Sequence, residues 1–250
     1  MHEAGGIGRR TMRLGMAAAV LAMVTAGAIG AAALVATPEG ARTLQEALER
    51  SRVAAGAPVY VRIFKQESEL ELWAERDGAY VLVKRYPICT WSGALGPKLR
   101  EGDLQSPEGF YRVTRGLLNP NSRYHLSFNI GFPNAYDRAH GRTGSFLMVH
   151  GNCVSIGCYA MTDPGIEEIY GMVEAALDKG QPAVPVHIFP FRMTEDNLER
   201  HRTSEWIGFW RNLKQGYDAF EAEGRPPEIT VSGGAYRVVG RRSEARTGRQ

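Results

Sequence analysis

FLMVHGNCVSIGCYAM, residues 146–161, carries the decisive signals of this 250-residue chain. Its first five residues, 146–150, are an apolar run that reads as a strand ending on a histidine. Cys158 comes after Ser155, Ile156 and Gly157 in what reads as a tight turn. A thiol is a nucleophile only as thiolate, and a neighbouring imidazole favours that form, so the pair reads as nucleophile Cys158 and general base His150. Gly157 lets the backbone approach a substrate carbonyl closely, which makes the Gly157 and Cys158 amides candidate oxyanion donors. Cys89 and Cys153 read as inert buried thiols, or as a disulfide between them in an oxidising compartment. A zinc set built from His150, Cys153 and Cys158 has no fourth ligand and no Cys-x2-Cys pair, so neither metal nor cofactor is expected.

Outward from this stretch the chain is β-rich. Segments 59–64, 70–74 and 80–86 are β-branched and aromatic, and the turn residues between them read as the start of a mostly antiparallel sheet. Further strands are expected at 110–114 and 125–129, among Gly and Pro turns whose loops would form a cleft, and at 184–189. A helix opens at Asp163-Pro164 and stops at Gly180. A second spans 203–223, with Trp206, Phe209, Trp210, Leu213, Tyr217 and Phe220 as a packing stripe. Strands 228–231 and 235–239 close the chain as a hairpin around Gly233-Gly234. The fold class is mostly β, a sandwich or barrel with flanking helices.

The N-terminus reads as an address. Residues 14–36 form an uncharged apolar run behind Arg9, Arg10 and Arg13, either a secretory signal or an uncleaved membrane anchor; both export the remainder of the chain. Residues 37–58 read as a linker or short amphipathic helix, 59–193 as the catalytic domain, 194–240 as a helix and hairpin packed on it, and 241–250 as a disordered basic tail. The two termini, 1–36 and 241–250, hold net charges of +2 and +3 out of a total of +3, which leaves −2 for residues 37–240. A folded part with no basic excess is not a nucleic-acid binder.

The combination of Ser155-Ile156-Gly157-Cys158-Tyr159, His150-Gly151 and Ser106-Pro107-Glu108-Gly109-Phe110 resembles the L,D-transpeptidase (YkuD-type) catalytic domain. Tyr86-Pro87-Ile88-Cys89, Gly96-Pro97-Lys98 and the segment 133–145 extend the likeness over roughly residues 59–236. The chain is most similar to the YafK-like murein subgroup, which includes the peptidoglycan meso-diaminopimelic acid protein amidase. The resemblance implies a periplasmic domain in which Cys158 attacks the carbonyl on the L-centre of meso-diaminopimelate in a stem peptide. Water then resolves the thioester and frees a covalently attached envelope protein from its lysine, or an amine resolves it and makes a 3-3 crosslink or a protein attachment. The partners so implied are the peptidoglycan stem peptide and the attached protein, with membrane contact if the N-terminal segment is uncleaved. A non-catalytic wall-binding module is the further alternative. Where the family's signature carries His two residues before the nucleophile and Arg two after it, this chain has Ile156 and Ala160. Arg138 and Arg142 are therefore the expected carboxylate-binding residues, with His140, Ser155 and Tyr159 also assigned to substrate. His140 stands as an alternative to His150 as base or orienter.

Overall fold

A computed structural model describes residues 43–239, so the signal or anchor expected at 1–36 and the basic tail expected at 241–250 lie outside the described residues. In chain order the elements are α1 (Leu44–Ser51), β1 (Val59–Phe64), β2 (Glu69–Arg76), β3 (Ala79–Pro87), β4 (Thr90–Trp91), β5 (Gly109–Val113), β6 (Leu118–Ser122), β7 (His125–Asn129), α2 (Ala135–Ala139), β8 (Met148–His150), β9 (Tyr159–Ala160), α3 (Asp163–Asp178), β10 (Val184–Phe189), α4 (Glu195–Arg200), α5 (Ile207–Glu223), β11 (Glu228–Ser232) and β12 (Ala235–Val239). Among the described residues no helix is long and apolar enough to cross a membrane.

Two five-stranded sheets, ordered β3-β2-β1-β10-β5 and β4-β9-β8-β7-β6, make the mostly β body, and β11 and β12 form a separate hairpin. Every residue of β1 is buried, because both faces of this central strand are covered. On one face Val59, Val61 and Ile63 join Leu70 and Leu72 of β2, Phe128 and Val149 of the second sheet, and Ile166, Ile169 and Val173 of α3 in one core. On the other, Phe64 packs with Phe110, Phe189 and the α5 side chains Trp210 and Leu213. Each such side chain contributes roughly 1.5–3 kcal/mol relative to exposure. The 203–223 stripe is thus packing, as its spacing suggested.

Pairing is mostly antiparallel, but β1 with β10 and β8 with β9 run parallel. The second parallel pair shapes the site. A parallel neighbour needs a return connection, and here it is the loop 151–158.

Residues far from the site by sequence hold the loops that approach it. Lys65 and Glu108 are fully buried with their charges 3.1 Å apart. The Lys65 ammonium also donates to the carbonyls of Ala94 (2.7 Å), Gly96 (3.0 Å) and Ser106 (2.9 Å). Glu108 accepts from the Gly96 amide at 2.7 Å and the Trp210 indole at 2.8 Å. A buried pair survives desolvation when its remaining donors and acceptors are satisfied, and these are.

Candidate active site

Sheet register brings His150 and Cys158 together. Val149 pairs with Tyr159 and His150 with Ala160 across the parallel β8/β9 ladder. Val149 and Tyr159 are fully buried in the core. Successive side chains of a strand alternate faces, so His150 projects away from the Val149 side, and Cys158 lies immediately before β9. Both line one cleft of about 420 Å³, together with Lys98, Tyr124, Phe146 and Ser155.

His150 is almost wholly buried, its ring 4.7 Å from that of Tyr124. Nδ1 lies 2.6 Å from the Gly151 carbonyl oxygen. A carbonyl can only accept, so Nδ1 carries the proton and Nε2 is left as the basic nitrogen. Burial lowers the imidazole pKa, against the Gly151 carbonyl, which raises it. The Cys158 thiol donates to the Phe146 carbonyl at 3.6 Å. Burial pushes this thiol up, while the Met148 backbone and the Lys98 ammonium draw it down. Burial thus favours the neutral form of both groups in the cleft they share.

The Cys158 peptide is clamped from two sides. The Ser155 hydroxyl donates to the Cys158 carbonyl at 2.8 Å and accepts from the Gly157 amide at 3.2 Å. The Ser106 hydroxyl donates to the same carbonyl at 3.0 Å and accepts from the Ser92 amide. Gly157 has φ +139°, which no side-chain-bearing residue adopts without strain. Cys89 and Cys153 form a disulfide, which ties the 151–158 loop to the segment entering β4 and removes Cys153 from any metal set. Among the described residues no group of three or more His, Cys, Asp or Glu is placed to hold a metal.

Four expected substrate contacts stand elsewhere. Arg142 is buried, bonded to Asp137 at 3.0 Å and set over the rings of Tyr136 and Phe209 at 5.0 and 4.8 Å. Asp137 sits in the capping box of α2, so Arg142 braces that helix and does not line the cleft. Arg138 donates to the Pro133 carbonyl and faces a different cavity, between β5 and β11. His140 lies 2.7 Å from the Gly234 carbonyl and stacks on Tyr136, which places it at the terminal hairpin, whereas His150 lines the cleft with Cys158. Tyr159 points into the core and donates to the Pro107 carbonyl at 2.7 Å. Gly157 and Ser155 do line the cleft, although the Gly157 amide is engaged by Ser155.

The residue that sequence reasoning misses is Lys98. It lines the cleft and lies near enough to lower the thiol pKa, held by Asp103 at 2.5 Å and the Arg100 carbonyl at 2.9 Å. Gly144 has φ +148°, a backbone conformation that suits glycine, and a Cβ there would stand 2.6 Å from Lys98 Cε. The signal is present in Gly96-Pro97-Lys98, but nothing in it shows that this cation reaches Cys158.

Comparison with known proteins identifies the family. The L,D-transpeptidase catalytic domain family, YkuD, matches residues 58–188. The chain is 50% identical over 221 residues to "Putative L,D-transpeptidase YafK" of Escherichia coli K12, covering 88% of this chain and 89% of that one. Among solved structures, the helical cell shape determining protein Pgp2 of Campylobacter jejuni (K307A mutant) is similar at 20% identity and a TM-score of 0.44, over 71% of this chain and 63% of that one. Bd1075 of Bdellovibrio bacteriovorus is similar at 20% identity and a TM-score of 0.38, over 66% and 61%. With a family match across more than half its length and a half-identical relative spanning nearly all of it, the chain belongs to the L,D-transpeptidase (YkuD) family.

Proposed function

We propose that this protein is a periplasmic cysteine acyl-transfer enzyme that detaches covalently bound envelope protein from peptidoglycan, with Cys158 as nucleophile and His150 as general base. The observation that carries the reading is the shared placement of these two residues in one cleft, at the end of β8 and the start of β9. His150 Nε2 takes the thiol proton as sulfur attacks the carbonyl on the L-centre of meso-diaminopimelate, and the oxyanion forms against the Cys158 amide. The C–N bond then breaks, and the His150 proton goes to the departing lysine amine. Water, deprotonated by the same imidazole, attacks the thioester, regenerates the thiol and leaves a carboxylate on the stem. Lys98 lowers the cost of the thiolate that passes between these states. No cofactor enters any step.

The relative's name favours a second reading, in which an amine in place of water resolves the thioester and makes a crosslink. Mass spectrometry of products from protein-bearing peptidoglycan, with the full chain and a Cys158→Ala control, separates the two. Cys158-dependent release of protein with a free lysine supports hydrolysis. Loss of terminal D-Ala with new 3-3 dimers supports transpeptidation instead, and no Cys158-dependent product overturns both.

A further inference from the structure

A second cavity, of about 500 Å³, lies between the first sheet and the terminal hairpin and shares no lining residue with the Cys158 cleft. Its floor follows from register. Phe110 pairs with His187 and Arg112 with Pro185 across the antiparallel β5/β10 ladder, and alternation puts these four side chains on one face of the sheet. Ile229 and Val231 of β11 and Arg138 of α2 contribute to the remaining walls. The charged residues of this lining are both cations, Arg112 and Arg138, and no Asp or Glu joins them. They are not a sample of a basic surface, since residues 37–240 carry a net −2. Arg112 has no hydrogen-bond or ion-pair partner among the described residues, and Arg138 meets the Pro133 carbonyl alone. Asp137, on the same helix as Arg138, is already paired with Arg142.

A buried group points the same way. His187 is 2% exposed yet lines the cavity. Its Nδ1 lies 2.8 Å from the hydroxyl of Tyr60, a buried phenol with no other hydrogen-bond partner among the described residues. Such a hydroxyl donates, because the reverse arrangement leaves its proton unsatisfied, so Nδ1 accepts and Nε2 carries the hydrogen. Burial, with the Arg62 and Arg112 guanidiniums, pushes the imidazole down to about 3, so the ring stays neutral with one N–H to give. Among the described residues that Nε2–H has no acceptor, and an unmet donor in so buried a ring is one that a ligand oxygen satisfies. A guanidinium fork matches a carboxylate bidentately, and Phe110, Pro185, Ile229 and Val231 suit an aliphatic body beside it. The volume is that of a small-ligand pocket. We infer that this cavity is a second binding site, separate from the Cys158 cleft, for a carboxylate-bearing ligand of short aliphatic-peptide type, held by Arg112, Arg138 and His187. A stem peptide of the wall and a free small carboxylic acid both carry this chemistry.

Methyl NMR of the full chain, labelled at Ile and Val and carrying Cys158→Ala to prevent turnover, reads both sites at once. Ile229 and Val231 report this cavity, and Val154 and Ile156 report the Cys158 cleft. The probes are a stem tripeptide, the same tripeptide with its carboxylates converted to carboxamides, glutarate and inorganic phosphate. The tripeptide is expected to shift Ile229 and Val231 saturably, and the carboxamide form to bind there at least about 10-fold more weakly. Arg112→Gln with Arg138→Gln should weaken the tripeptide at these two methyls to a similar extent and leave its shifts at Val154 and Ile156 unchanged. Thermal melts verify that the pair stays folded, and Arg112→Gln alone, which breaks no hydrogen bond, should weaken binding in the same direction. Glutarate bound as tightly as the tripeptide supports a site for free small acids, and weaker glutarate binding supports a stem-peptide site. No saturable shift at Ile229 and Val231, equal affinity for the carboxamide form, affinity untouched by the substitutions, or phosphate bound as tightly as the tripeptide overturns the inference. None of these outcomes depends on which reaction Cys158 performs.

Discussion

Glu108→Gln tests how the site is held without touching it. Glu108 and Lys65 are both fully buried, and the substitution leaves an ammonium among three carbonyls with no counter-charge. Removing one partner of a buried pair costs about 3–5 kcal/mol, because the other charge stays buried and uncompensated. At about 2–4 °C per kcal/mol for a chain of this size, the melting temperature should fall by roughly 6–20 °C. Adding Lys65→Met to Glu108→Gln removes the remaining charge, and the Gln amide can donate to the carbonyls the ammonium vacated. The double variant should therefore be less destabilised than the sum of the singles, by at least about 2 kcal/mol in a double-mutant cycle. Urea unfolding of the four proteins gives this coupling directly. The exposed pair Arg202 and Glu199 is the control and should show about 0–0.5 kcal/mol. Strict additivity at Lys65 and Glu108, or a Glu108→Gln cost like that of the exposed pair, would refute the claim that this charge pair pins the 94–108 loops.

The geometry sets four further outcomes. The proposed mechanism needs neutral His150, and burial lowers its pKa, so the acid limb of kcat/KM should have its midpoint below 6.5; a midpoint above 7 counts against His150 as base. His187 is fully buried, hydrogen-bonded to Tyr60 at 2.8 Å, and pushed down to about 3, so below pH 6.5 only the unfolded chain takes up its proton. Its share of stability is complete above pH 6.5 and falls by roughly 1.4 kcal/mol per unit as pH drops toward 3; unfolding of His187→Asn between pH 4 and 6 should show a slope smaller by about one proton. Arg142→Ala should cost about 3–5 kcal/mol of stability and leave KM unchanged at a temperature where it folds, since it strands buried Asp137; a raised KM would restore Arg142 to the substrate site. Reducing the Cys89–Cys153 disulfide, which closes 64 residues, should lower stability by roughly 4 kcal/mol and slow turnover, read by unfolding and by product release with and without reductant.

How much of the fold is legible in the sequence depends on how local each cause is. The limits of β1, β7, β10 and β12 match their expected segments, because short β-rich runs and the turn residues that bound them are written in consecutive positions. Asn119-Pro120-Asn121 reads as a turn, yet β6 is an edge strand of its sheet, where proline costs no ladder bond. β4 and β9 have two residues each, too short for any period to show. α2 does leave a signal, the Asn134 and Asp137 capping box, but a loop-like stretch of sequence conceals it.

The same division runs through the site. His150 and Cys158 are legible because a strand-ending histidine and a Gly-Cys turn are local patterns. The cation beside the thiol is not, since Arg138, Arg142 and Lys98 differ in which carboxylate or carbonyl each meets across the fold. Arg142 is drawn inward by Asp137, and Lys98 is fixed at the cleft by Asp103. The cavity between β5 and β11 is equally hidden, because its lining is assembled from residues far apart in the chain.

In the proposed mechanism Cys158 carries the acyl group. Intact-mass and peptide-level mass spectrometry of the full chain, quenched in acid during turnover of protein-bearing peptidoglycan, tests it most directly. A stem-peptide acyl mass on Cys158, absent in Cys158→Ala and accumulating when His150→Ala slows its resolution, is the expected result. Protein release that persists in Cys158→Ala, or an acyl group mapped to any other residue, would contradict it.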